Sequence, residues 1–474
     1  MTPRPSEGGA PPPPAPGPTP RAADGPGVDA PLVVAASPAL PSSGPDASTF
    51  VAVLSRRDFR CLWGAQMASQ LADKFLVYTL LIVVFALTGR SSTQSLVLLA
   101  YTLPSILLSA PAGVYADRHD KRLLMLSTNA IRAFLVLLMP VCLVTPGLSG
   151  QPWPLLLITL LFSAVGQVFA PAEAASIPFL VRRDQIMIAT SLFMTTVVAT
   201  LVAGVPLASV AIKVSGTHVP FLIAALLFVV ATFLVLRVGT SLRAAGRAHV
   251  HEQHVWREMR EGLAIMAGDP VLRMGLGQLT VALVVVFTMF ALGPAYVARV
   301  LGRQPEDTYL LLLPATAGVV GVAVALGRWQ ASIRRSTALV VSALVAGSIL
   351  VATGFVPGRL VAGGHGNWLT ALTIVLGIGL GAAIGSMLVV GFTVIQERTD
   401  EASRGRVFGG IFTVINSASA IPLVGAGAIA DAYGVDRAVA VVGALLALHG
   451  AVGRTALWRR LQVLDRPASA APAL

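Results

Sequence analysis

The sequence predicts an all-α membrane protein, twelve transmembrane helices in two pseudo-symmetric bundles of six. Three observations lead there. Of 474 residues, 55% are apolar and only 12% are charged, whereas an ordinary soluble domain carries about 25% charged residues. Apolar runs recur from position 59 onward, each near the ~20 residues that a helix rising ~1.5 Å per residue needs to cross a ~30 Å hydrocarbon core. A single long polar connection, 239–270, divides these runs evenly. The composition excludes a soluble globular domain, and it excludes disorder for the bulk of the chain, which requires low hydrophobicity and high charge.

Residues 1–50 hold 14 of the 32 prolines with clustered Gly, Ala and Ser. Such a segment buries too little apolar surface to offset its ordering entropy, so it is expected to be a disordered cytoplasmic tail. It lacks the apolar core with basic flank of a signal peptide. The spans then fall at 60–88, 93–115, 122–145, 153–180, 187–212 and 218–238, a first bundle over 59–238. The linker 239–270 carries apolar residues at 255, 259, 263 and 266, the spacing of an amphipathic surface helix. The second bundle, 271–460, has spans at 271–298, 308–328, 336–356, 368–394, 406–430 and 436–457, before a tail at 461–474.

Basic residues set the orientation. With the N-terminus inside, the inner connections and tail after residue 50 carry 24 Lys and Arg and the outer ones 6. That asymmetry places both termini in the cytoplasm of a multi-pass protein of the plasma (inner) membrane. It also accounts for the net charge of +12 without a nucleic-acid partner. The only cysteines, Cys61 and Cys142, are 81 positions apart and support neither a disulfide framework nor a metal spacing. His249, His251 and His254 in the linker are more simply solvated than metal-bound, so no metal and no cofactor are expected.

Gly113-Val114-Tyr115-Ala116-Asp117-Arg118-His119-Asp120-Lys121-Arg122 follows the second span. This stretch resembles the major facilitator superfamily, whose loop between helices 2 and 3 carries G-x-x-x-D-R-x-x-[RK]-[RK]. With Asp120 it is similar to the proton-antiport drug and siderophore exporters. Phe59-Arg60-Cys61-Leu62-Trp63, Pro171-Ala172-Glu173, Trp256 to Gly262 and Arg404-Gly405-Arg406-Val407-Phe408-Gly409 resemble the same subgroup. The resemblance implies a conformational latch in which Asp117 meets the start of helix 11, here Arg404 or Arg406. Gly113 would let helices approach closely, and Arg118, Lys121 and Arg122 would enforce topology. The corresponding loop of the second half, 321–335, has no aspartate, so the latch is expected to be one-sided.

Ionisable residues inside a bilayer are costly and mark candidate sites. Gln66, Gln70 and Asp73 share one face of helix 1, with Asp73 about 20 Å up, the position of a cavity-facing proton carrier. Alternatively Asp73 pairs locally, with Lys74 reaching the outer interface. Arg132 in helix 3 and Glu173 in helix 4 fall at similar depth, and a buried Arg132–Glu173 pair is expected, as structural staple or coupling site. Glycines 377, 379, 381 and 385 of helix 10, and Gly204-Val205-Pro206 in helix 5, predict close packing and bending. No P-loop and no nucleophile elbow in a strand–turn–helix setting is present, so neither ATP-driven transport nor an enzyme is expected. The expected function is secondary transport by alternating access by a monomer. The resemblance implies proton-coupled efflux of an amphipathic small molecule. Uptake, lipid flipping or a non-transporting scaffold are the alternatives.

Overall fold

A computed structural model describes residues 50–242, 264, 267–329, 334–362, 366–399 and 404–455. The linker helix, both tails and the three linker histidines lie outside them. Among the described residues twelve helices are long and apolar enough to cross a membrane, as expected. They are built on α1 (Arg57–Thr88), α2 (Ser91–Arg118), α3 (Lys121–Val144), α4 (Trp153–Gly166, whose span continues to Ala174), α5 (Ile186–Ser215) and α6 (Val219–Leu236) in the first half. The second half contributes α7 (Pro270–Arg299), α8 (Tyr309–Trp329), α9 (Arg335–Ala362), α10 (Gly366–Arg398), α11 (Arg404–Tyr433) and α12 (Val435–Thr455). Odd-numbered helices rise from the face where α1 begins, called here the terminal face, and even-numbered ones return from the far face.

Local chemistry fixes several boundaries. α1 stops at Gly89, whose φ of 63° is the left-handed conformation that glycine adopts without a Cβ penalty. Asp120 caps α3, accepting from the N–H groups of Arg122 at 2.9 Å and Leu123 at 3.3 Å. The fourth span departs from the expected single helix over 153–180. It is α4, then short helices Phe169–Ala174 and Ile177–Leu180. Pro171 and Pro178 each lack an N–H and clash with the carbonyl four residues earlier, which accounts for the breaks around 167–168 and 175–176.

Within the first half α1 packs on α5 and α6, and α3 on α4 and α6; in the second, α8 packs on α10 and α9 on α12. The helix 10 glycines are used as expected: a Cβ on Gly381 would overlap the Ala315 carbonyl of α8. Between the halves, α2 lies against α7 and α11, and α5 against α8. Two core clusters combine residues of both halves. One holds Tyr78, Val136 and Phe228 with Ala291 and Leu423, and the other gathers Leu292, Met387 and Ala430 around Phe85. The clusters nearer the terminal face each draw on one half, as in Phe59, Met125 and Val235 or Leu272, Leu279 and Ile415.

Candidate functional site

The charged centre of the first half is built on α1, α2 and α3. Asp73 forms an ion pair with the Arg132 guanidinium, with side-chain exposures of 14% and 4%. Arg132 also donates to Ser69 Oγ at 3.4 Å, and Ser69 in turn donates to Asn129 Oδ1 at 3.3 Å. The guanidinium lies between two rings, 4.3 Å from the centroid of Phe162 on α4 and 4.5 Å from that of Phe228 on α6. Such faces attract a cation. Gly166 lies against the guanidinium, where a Cβ would stand 3.4 Å from the Arg132 Cζ, at the edge of ordinary contact. Charge pairing, a hydroxyl–amide relay and two aromatic faces together make an arginine tolerable at this depth.

Lys74 occupies the next position of α1 and interacts electrostatically with Tyr101 of α2. It does not reach the outer interface. On the same helix Gln66 donates to the Phe193 carbonyl of α5 at 3.3 Å, and Gln70 is half-buried. Glu173 corrects the expectation. It is buried at 5% exposure, with Oε1 unpartnered, and it makes no ion pair with Arg132 because Asp73 already holds that guanidinium. The break after α4 also moves Glu173 onto a separate short helix.

A second constellation closes the far face between the halves. Arg90, at the N-cap of α2, contributes no side-chain bond. The cap comes instead from α11: Asp431 accepts from the N–H of Ser91 at 2.8 Å, the N–H of Ser92 at 2.9 Å and the Ser92 hydroxyl at 2.6 Å. Arg299, ending α7, pairs with Asp431 at 3.3 Å and donates to the Gly89 carbonyl. Lys213 of α5 pairs with Asp307 at 3.0 Å, and Ser209 donates to the Glu306 carbonyl at 2.7 Å. Deeper, Asn416 donates to Ser105 Oγ at 3.0 Å and Thr316 to the Val202 carbonyl at 3.2 Å. Tyr78 and Phe290 meet edge to face at 6.0 Å.

The sequence profile described as Major Facilitator Superfamily matches residues 62–421. The chain belongs to that superfamily. Similar relatives include an uncharacterized MFS-type transporter, YfiS, of Bacillus subtilis, 25% identical over 405 residues, covering 84% of this chain and 93% of the relative. Another is macrolide efflux protein A of Streptococcus pyogenes, 22% identical over 395 residues, covering 82% and 93%. Among solved structures, a bacterial homolog of the human lysosomal transporter Spinster, inward-facing and occupied, superposes with a TM-score of 0.65 at 11% identity over 88% of this chain and 98% of the other. The nucleoside transporter NupG does so at 0.62 and 13%, over 85% and 98%. At that identity the likeness shows the major facilitator fold.

The loop signature of this major facilitator is divided between described and undescribed side chains. Arg122 donates to the Leu236 carbonyl at 2.7 Å, closing the C-terminal end of α6, so it does more than set topology. Arg118 is exposed. The Asp117, Arg404 and Arg406 side chains lie outside the described residues, and with them the expected latch. Gly113 meets nothing within 4 Å of an added Cβ among the described residues, so it is not the site of a close helix approach here. Lys74, Tyr101, Arg299 and Asp431 were not singled out from sequence as site residues. Asp431 and Arg299 sit at helix ends where charges are ordinary, and no sequence pattern distinguishes them.

Proposed function

We propose that this major facilitator is a secondary transporter that works by alternating access and exports an amphipathic small molecule, of drug, macrolide or siderophore type, in exchange for protons. One observation carries the reading. The inter-half hydrogen bonds named above lie at the far face or at mid-depth, while the core clusters near the terminal face each belong to one half. Two bundles bonded to each other at the far end, with core clusters of their own near the other, fit one of the two states that rocking about a midplane cavity requires. The excess of basic residues makes the terminal face cytoplasmic, so this state opens inward. Similarity to macrolide efflux protein A supports export.

In this reading Asp73 is the proton carrier. Protonation would release Arg132, and its 14% exposure keeps a path to the cavity. Asp117 with Arg404 or Arg406 closes the cytoplasmic side in the opposite state. The test is movement of fluorescent amphipathic dyes in inverted vesicles carrying the full chain. Dye should accumulate only with a proton gradient, stop with an uncoupler, and slow in Asp117→Asn without loss of folded protein. Gradient-independent movement, or none, would refute proton-coupled export, and an unchanged Asp117→Asn rate would refute the latch.

A further inference from the structure

The charges inside the membrane are divided unevenly between the halves. In the second half, segments 274–298, 308–327, 336–358, 366–396, 407–430 and 438–448 contain no Asp, Glu, Lys or Arg. In the first half, Asp73, Lys74 and Arg132 converge on one small region. Asp73 and Arg132 neutralise each other as an ion pair. Lys74 has no carboxylate of its own: among the described residues it makes no ion pair, and Asp73, the neighbouring anion, is held by Arg132. Glu173 does not complete the balance, because among the described residues it makes no ion pair and its Oε1 has no partner. The cluster therefore carries one positive charge in excess.

The position of Lys74 is as specific as its charge. α5 runs close along its stem, where a Cβ on Gly204 would stand 3.0 Å from the Lys74 Cβ. The residue is half-buried rather than sealed. Among the described residues its ammonium makes no ion pair and no hydrogen bond. An uncompensated ammonium at this depth is costly unless an anion or water meets it.

We propose that Lys74 is the docking point for the anionic group of the transported molecule, a carboxylate-bearing amphiphile whose apolar part lies against the uncharged wall of the second half. This deepens the transporter reading and rests on it. Asp73 and Arg132 remain the neutral ion pair behind the site.

The experiment measures binding, so it needs no transport. The full chain in lipid nanodiscs is titrated calorimetrically with three probes that differ in one group: 4-phenylbutyrate, 4-phenylbutyramide and 4-phenylbutylamine. The carboxylate should bind about tenfold more tightly than the amide, as a charge-assisted hydrogen bond predicts, and the amine should bind weakest. Lys74→Met should erase the preference and Lys74→Arg should keep it. Should Lys74→Met not fold, the wild-type ranking and Lys74→Arg still decide. Equal binding of the three, tighter binding of the amine, no binding at all, or a preference that survives in folded Lys74→Met would each overturn the proposal. Those outcomes leave alternating access standing, since it fails separately if the two faces do not open in turn.

Discussion

The Asp73–Arg132 pair shows what a single residue must settle inside a bilayer. Arg132 is held by one carboxylate, one hydroxyl and two aromatic faces, so removing the carboxylate strands a buried charge. Asp73→Asn is expected to destabilise the first half by about 3–5 kcal/mol, read as a lower melting temperature of the purified protein. Asp73→Asn combined with Arg132→Met should recover most of that loss, because both charges leave together. A double variant as unstable as the sum of the singles would contradict the pair. Sequence gave the depth of Arg132 by counting residues at about 1.5 Å each, but depth has no azimuth. Asp73 and Glu173 were both at reachable heights, and only the packing of α1 against α3 and the proline breaks after α4 decide between them. Lys74 was hidden for the same reason, since adjacent positions on a helix point about 100° apart.

At the scale of elements, α2 depends on the other half for its N-terminal cap. Asp431→Ala leaves the Ser91 and Ser92 N–H groups without that acceptor and frees Arg299 from its carboxylate. Loss of a cap costs about 1 kcal/mol, equivalent to about a fivefold shift of an equilibrium. Ser95 is fully buried beside Gly427 of α11, so a Ser95→Cys reporter in a background without Cys61 and Cys142 should be labelled several-fold faster by a membrane-impermeant thiol reagent once Asp431 is Ala. No change in rate would mean that the cap does not hold the far face shut. The helix count and most boundaries were readable because an apolar run of membrane length has few other uses. The fourth span was not, since its apolarity continues through Pro171 and Pro178 while its backbone does not.

The whole molecule combines what composition dictates with what it leaves open. Twelve spans in two sets of six follow from apolar runs and one long linker, and the profile match over residues 62–421 agrees. The conformation was not legible, because the far-face closure uses Ser, Gly, Arg and Asp at helix ends, residues equally at home in a solvated loop. A reporter fused at residue 250 is expected on the cytoplasmic side, and an external reporter would reverse the orientation. The central claim is that the two faces open alternately. Its most direct test is electron–electron spin-resonance distance measurement in liposomes, with one spin-label pair on the far face at Arg90 and Tyr433 and another on the terminal face at Arg183 and Arg334. Imposing a proton gradient should lengthen the first distance while the second shortens. Distances that stay fixed, or that change in the same direction, would contradict it.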